Sequence, residues 1–205
     1  MRLAERWRDP AEVAAAAAAW RERRNLRLTD VLADDAIAGL RDAVAALHHP
    51  LVAATAPDYA YQYGAVASPP EAGCDHAWCQ FARWWWDDGV AFVSAITGLR
   101  LRPPRDRVLM STELRRGAFL DPHNDFDGAR RVAYVLGLTR DAWDPALGGH
   151  LEFLAVEGGV TVVTERRAPG WNTLDLFAVD RDPPLHQVPI VTADVERRAI
   201  TGWWY

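Results

Sequence analysis

Residues 130–154 read RRVAYVLGLTRDAWDPALGGHLEFL, and the reading of this stretch decides the fold. Two short segments rich in β-branched and aromatic residues, 131–138 and 150–155, are separated by turn formers, with Asp141 and Asp144 on either side of Trp143. The same pattern recurs outward in both directions, at about 107–112, 117–122, 159–164, 173–179, 186–192 and 196–204, broken each time by Gly, Pro or Asp. Eight strands at that spacing predict two packed antiparallel sheets, that is, a jelly roll or double-stranded β-helix.

Ahead of Pro104 the pattern is helical. Residues 10–24 open with Pro10 and close in a basic cluster, and 33–47 place Ile37, Leu40, Val44 and Leu47 at helical spacing, with a short strand at Leu26 to Leu28 between them. Residues 50–73 read as extended chain and loop with a strand at Tyr59 to Tyr63. A third helix over about 75–97, closed by Gly98, carries Trp84, Trp85 and Trp86. Three consecutive side chains on a helix cannot share one face, so at least one tryptophan is expected to be partly exposed. The class is therefore α+β, with N-terminal helices packed on one sheet of the jelly roll. One domain is expected over 1–205, helical to about 100 and strand-built from about 105.

Composition narrows the function. The chain has 205 residues, half of them hydrophobic and a quarter charged, with mean hydropathy −0.17, as in water-soluble globular proteins. The longest apolar run, Val13 to Trp20, is far short of the roughly 20 residues that span a bilayer. It is nearly all alanine, follows Glu5, Asp9 and Glu12 and lacks a cleavage site, so a cytoplasmic location is expected rather than secretion. A net charge of −5 and a pI near 5.7 argue against a nucleic-acid surface. All 23 basic residues are arginine. The absence of lysine removes Schiff-base chemistry and a Walker-type phosphate loop, and leaves Arg to hold any anionic ligand. Cys74 and Cys79, with His76 between them in CDHAWC, are too few for a disulfide scaffold or a four-ligand zinc site.

The residues suited to chemistry lie in the strand half. In FLDPHNDFDG (119–128), His123 and Asp125 are two apart and share a strand face, so imidazole and carboxylate can converge on one ion; alone, the same residues also suit an acidic surface turn. His186 heads the segment HQVPIV after a Pro-rich turn. Two His and one carboxylate from separate strands form the facial triad of non-haem Fe(II) oxygenases, with open positions for a bidentate co-substrate and O2. ERRAITGWWY then supplies Arg197 and Arg198, and a buried Arg there would grip a carboxylate with two parallel hydrogen bonds. His150, two residues before Glu152, reads as a solvent-facing outer residue. His48 and His49 read as partners of a helix end, and Trp171 and Trp204 as core or rim.

From Leu26 to the C-terminus the chain resembles the 2-oxoglutarate/Fe(II) dioxygenases of the prolyl 4-hydroxylase type. FVSAITGLRL, GAFLDPHND, the 130–154 stretch, NTLDLF, HQV and RRAITGWWY follow the family's order and spacing, most closely those of its ribosomal-protein prolyl hydroxylase branch. The resemblance implies Fe(II) held by His123, Asp125 and His186, and 2-oxoglutarate anchored by Arg197, with Thr201, Trp203, Leu151 and Val135 lining its pocket. It also implies O2 as oxidant and ascorbate as a stimulant. Arg197 rather than Arg198 follows from counting six positions back from Trp203, because register within a strand is fixed by its two faces. Two places where the family carries Tyr hold Gly137 and Leu114, with Tyr134 on the opposite face by parity; both changes are expected to enlarge or reshape the pocket.

The implied activity is oxidative decarboxylation of 2-oxoglutarate to succinate, coupled to hydroxylation of an unactivated C–H bond. The substrate would be a prolyl or other amino-acid residue in a protein or peptide, or alternatively a free amino acid or natural-product intermediate. Halogenation is disfavoured, because family halogenases lack the carboxylate that Asp125 provides. A different class, a cupin-like jelly-roll binding protein or isomerase, would carry His-x-His with a downstream Glu. Substrate is expected to enter over the metal on the side of the 50–73 loop and the Trp-rich helix. Neither nucleic acid nor membrane is expected as a partner.

Overall fold

The computed structural model describes residues 1–55, 59–68, 73–179 and 184–205. Helix α1 (Pro10–Arg23) starts where the Asp9 carboxylate accepts a hydrogen bond from the Ala11 amide at 2.8 Å, and it ends at Arg24 in the left-handed conformation. Strand β1 (Asn25–Leu28) leads to α2 (Asp34–Ala45), whose Ile37, Leu40 and Val44 are buried. Strands β2 (Leu51–Thr55) and β3 (Ala60–Ser68) form a hairpin ladder, and α3 (Ala77–Trp84) and α4 (Val90–Thr97) are joined by a π-helical turn (Trp85–Gly89). All eight strands expected in the second half form: β4 (Leu109–Leu114), β5 (Phe119–His123), β6 (Val132–Leu138), β7 (Leu151–Glu157), β8 (Val160–Arg167), β9 (Trp171–Ala178), β10 (Leu185–Val188) and β11 (Arg197–Trp204).

The strands build the expected double-stranded β-helix, its two walls continuous as one curled antiparallel sheet in the order β1-β9-β6-β11-β4-β3-β5-β10-β7-β8, with β2 on β3. The continuity comes from β3, whose Gly64–Ser68 half carries no strand signal in the sequence. Its Gly64–Ser68 half pairs with β4 and its Tyr61–Gln62 half with β5, so one nine-residue strand carries the hydrogen-bond ladder around the end of the barrel. The β9-β6-β11-β4 wall then faces the β5-β10-β7 wall across a cavity.

The main core lies on the outer face of the first wall. Tyr134 and Leu136 of β6, Leu174 and Leu176 of β9, and Ile200 and Trp204 of β11 meet Trp20, Ile37, Leu40, Phe81, Val93 and Ile96 from the helices. Parity is obeyed, since the alternate residues Ala133, Val135, Phe177, Thr201 and Trp203 line the cavity. The N-terminal segment is tied into this core twice. Residues 25–28 pair with 174–177, and the Asn172 side chain accepts from the Leu32 amide at 2.9 Å and donates to its carbonyl at 2.8 Å.

The tryptophan run resolves through the π turn, whose extra residue widens the helix locally. Trp85 and Trp86 are both buried, with ring centroids 5.2 and 4.9 Å from Trp204, while Trp84 is the partly exposed one. This helix packs beneath the sheet rather than beside the cavity mouth, which corrects the expected path of substrate on that side. Cys74 and Cys79 form a disulfide across the start of α3, so they are neither free thiols nor zinc ligands. No helix among the described residues is long and apolar enough to cross a membrane.

Candidate metal centre

His123 ends β5, and His186 lies opposite it in the register of β10, so the antiparallel pairing itself brings the two imidazoles together at 4.3 Å between ring centroids. Asp125 follows two residues after His123. Its Oδ1 is 3.9 Å from His123 Nε2 and its Oδ2 is 3.4 Å from His186 Nε2. All three residues are buried, and one ligand atom from each lies within 4.8 Å of the others, the one such cluster among the described residues.

The tautomers are fixed from behind. His123 Nδ1–H donates to the Asp121 carbonyl at 2.8 Å, and His186 Nδ1–H donates to the Pro184 carbonyl at 3.1 Å. Because carbonyls only accept, each Nδ1 carries the proton and each Nε2 turns its lone pair toward Asp125. Burial holds the His186 imidazole below its ordinary pKa, against the opposing pull of Asp125, which favours the neutral, ligating form. Tyr59 stacks on the His123 ring at 4.5 Å, Phe177 meets His186 edge-on at 4.9 Å, and both rings line the cavity into which the cluster opens.

That cavity has a volume of about 200 Å³ and is bounded away from the cluster by β11. Arg197, Thr201 and Trp203 face it, as do Val135 and Leu151, whereas Arg198 points to the other side of the sheet and pairs with Glu113 at 2.6 Å. Arg197 Nη1, Thr201 Oγ1 and Trp203 Nε1 are buried with no hydrogen-bond partner among the described residues. Buried polar atoms are nearly always paired, so three orphans around one cavity mark a place for a polar ligand. Burial pushes the Arg197 guanidinium down to about 10, which still leaves it charged at neutral pH. The donor set thus fits the group implied by the sequence: two imidazole nitrogens and a carboxylate for Fe(II), and a lone guanidinium for a carboxylate.

Other expectations change. His150 and Glu152 are buried, not solvent-facing: Arg166 and Gln187 lie over the outer face of β7 and hydrogen-bond Glu152 at 2.6 and 2.7 Å. At Gly137 the pocket is not enlarged, because a Cβ there would strike the Gly170 carbonyl and stand 2.7 Å from Thr173 Oγ1. Tyr134 is in the helical core, as parity required. Tyr59 and Tyr63, from the 50–73 segment expected to wall the entry over the metal, do line the cavity, although sequence reasoning named neither as a site residue. It also missed Asp175, which shares a face with Phe177 and is gripped inside the barrel by Arg27 at 2.7 and 2.8 Å and by Arg167 at 2.9 Å.

Residues 109–205 match the model of the 2OG-Fe(II) oxygenase superfamily. The chain is 29% identical over 122 residues to the prolyl 3-hydroxylase OGFOD1 of Mus musculus, covering 58% of this chain and 22% of that protein. It is 31% identical over 122 residues to the prolyl 3,4-dihydroxylase OGFOD1 of Ostreococcus tauri, covering 56% of this chain and 23% of that one. The match therefore spans less than a quarter of either relative's length. Among solved structures, the prolyl hydroxylase of Trichoplax adhaerens, in complex with a hypoxia-inducible-factor peptide fragment, superposes with a TM-score of 0.69 at 16% identity, covering 98% of this chain and 90% of that one, which establishes the shared fold. The matched residues run from β4 to the C-terminus and hold the whole His123, Asp125, His186 and Arg197 set, so it is the strand half of the chain, with its candidate site, that is similar to the 2OG-Fe(II) oxygenase superfamily.

Proposed function

We propose that this protein is an Fe(II)- and 2-oxoglutarate-dependent dioxygenase that hydroxylates an unactivated C–H bond, with a prolyl residue of a protein or peptide as its substrate class. The observation that carries the reading is one cavity with two Nε2 lone pairs and a carboxylate at one end and, facing it from β11, a buried guanidinium whose Nη1 has no partner among the described residues. When bound, the iron supplies O2 activation coupled to loss of CO2 from 2-oxoglutarate. The chain's own residues do the rest. His123, Asp125 and His186 would hold the ion by one face, their orientation set by the Asp121 and Pro184 carbonyls. Arg197 would take the far carboxylate of the co-substrate, and Val135, Leu151 and Trp203 would keep water from its flanks. Tyr59, stacked on His123, gives the mouth an aromatic wall suited to an apolar ring such as that of proline. The two curated relatives, both named as hydroxylases of prolyl residues, support the substrate class.

The test is anaerobic reconstitution with Fe(II) and 2-oxoglutarate, followed by air and a panel of proline-containing peptides, with ascorbate present. A visible charge-transfer band, succinate release and a peptide gaining one oxygen are expected, and all three should vanish in His186→Ala. Binding of a cavity ligand that persists unchanged after metal removal, with no succinate under any condition, would favour the cupin-like alternative and overturn this reading.

A further inference from the structure

Ten of the 205 residues are tryptophan. Four of them run in one file from the cavity to the surface. Trp203 lines the cavity at its metal end, since its cross-strand row continues through Ala133 to Phe177, whose ring meets His186. Arg130 ties it there: the guanidinium lies 3.6 Å from the centroid of the Trp203 ring, and its Nη1 donates to the Asp125 carbonyl at 3.3 Å. Trp204, the next residue, points to the other face of the sheet and into the helical core. Its ring centroid is 5.2 Å from that of Trp85, and Trp85 is 5.9 Å from Trp84, which is partly exposed.

Packing asks only for large apolar rings at these places. Indoles differ from phenyl rings in giving up an electron readily, and rings in contact pass one along. An oxygenase of the proposed class has a use for such a file. It commits O2 before its substrate is oxidised, so when no C–H bond is presented the second oxygen atom of O2 still has to become water. That takes two electrons and two protons. Taken from the walls of the cavity and left there, the loss would damage His123, Tyr59 or Trp203, the side reaction that a closed site must avoid.

We propose that Trp203, Trp204, Trp85 and Trp84 form an electron path that clears the cavity of oxidising equivalents when turnover runs without substrate. The proposal rests on the oxygenase reading above. Trp203 gives up an electron, and each vacancy is refilled by the next indole outward until it reaches Trp84. There a small enediol reductant in solution fills it. Two electrons passed in this way, with the two protons that the reductant releases, balance the conversion of one oxygen atom to water. Two features give the path its direction. The Arg130 guanidinium makes a positive charge on the Trp203 ring costly, so the vacancy moves on. Trp204 Nε1 is buried with no hydrogen-bond partner among the described residues, so the oxidised indole cannot shed its proton and trap the charge in the core. Without a reductant, the Trp84 indole loses its N–H proton to water and the resulting radical adds O2.

The experiment exposes the full chain, loaded with Fe(II) and 2-oxoglutarate, to air without a peptide, with and without ascorbate, and maps added oxygen by mass on its proteolytic fragments. Zn(II)-loaded chain in the same mixture controls for attack from solution. In the parent, oxygen should appear on Trp84 in step with succinate release, be suppressed by ascorbate and be absent with Zn(II). Trp85→Phe should spare Trp84 and move the oxygen to Trp203. If Trp85→Phe does not fold, Trp84→Phe, at a partly exposed position, decides alone: the oxygen should move inward to Trp85 or Trp204, and ascorbate should no longer suppress it. Oxygen on Trp84 that persists in Trp85→Phe, or appears equally with Zn(II), overturns the proposal. So does oxygen confined to the cavity walls of the parent, or succinate with no oxygenated tryptophan when ascorbate is absent. Succinate released only when a peptide is present also overturns it, since no stray equivalents then arise. No succinate with or without peptide would instead bring down the oxygenase reading itself.

Discussion

The Arg198 guanidinium lies 2.6 Å from the Glu113 carboxylate, whereas Nη1 of its neighbour Arg197, equally buried, meets no partner among the described residues. Strand parity separates the two roles, so their substitutions should part cleanly. Arg197→Ala is expected to raise the 2-oxoglutarate requirement by roughly two orders of magnitude with little change in melting temperature. Arg198→Ala should do the reverse, costing roughly 2 kcal/mol of stability by leaving a buried carboxylate with fewer donors; denaturant melts and 2-oxoglutarate titrations on both proteins decide it. Glu113 adds a pH signature. Burial pushes its carboxyl up, but hydrogen bonds from Arg115 and Arg198 outweigh this and hold it below the ordinary value. A depressed carboxyl pKa contributes stability that is present above the unfolded-state value and lost as pH falls through the folded one. Glu113→Gln should therefore be less stable than the parent at neutral pH, with the gap closing below about pH 4. At this scale the sequence was legible where parity sufficed, as for Arg197 and the His-x-Asp pair. It misled at the His150 to Glu152 face, where both residues are buried and the long Arg166 and Gln187 side chains hydrogen-bond Glu152.

Among elements, the helices, the eight C-terminal strands and the Tyr-alternating start of β3 were readable from periodicity and turn residues, and the Gly64–Ser68 half of β3 was not. The residues of β3 are almost all half-buried, because one face lines the cavity and its two halves serve different partners, so the alternation does not run through that second half. The π turn was equally hidden, since an extra residue in a helix leaves no compositional trace. It has a steric consequence at Gly89, whose backbone is ordinary helix (φ −61°) but whose Cβ position lies 2.6 Å from Trp85 Cε3. Trp85 is locked among Phe81, Tyr134 and Trp204 and has nowhere to retreat. Gly89→Ala gains about 1 kcal/mol in helix propensity and loses about 1–3 kcal/mol to overpacking. The net expectation is a melting temperature lower by roughly 2–4 °C, and a value at or above the parent's would show that the Trp85 ring can shift.

Across the whole molecule, the packing is lopsided. The helices and the outer face of β6, β9 and β11 share one large core, while the cavity is flanked by two small clusters, one around Leu151, Phe153 and Phe177 and one around Leu114, Val188 and Val191. The proposed metal ligands therefore sit on or just after β5 and on β10, strands held by few apolar contacts, and the cluster of two imidazoles and a carboxylate is itself a junction between them. Regions with few buried contacts open locally at lower free energy than the global unfolding that governs a core. Opening of β5 and β10 must release a bound ion, so an ion at 100 times its dissociation constant raises that local opening free energy by about 2.7 kcal/mol, or roughly 100-fold in exchange rate. Hydrogen exchange should accordingly show the β5 and β10 amides far faster than those of β6 and β9 in metal-free protein, with Zn(II) narrowing the gap and a chelator restoring it. If β5 and β10 exchange as slowly as β6 before any metal is added, or ignore Zn(II) when it is, the three residues do not join the two strands through a shared ion.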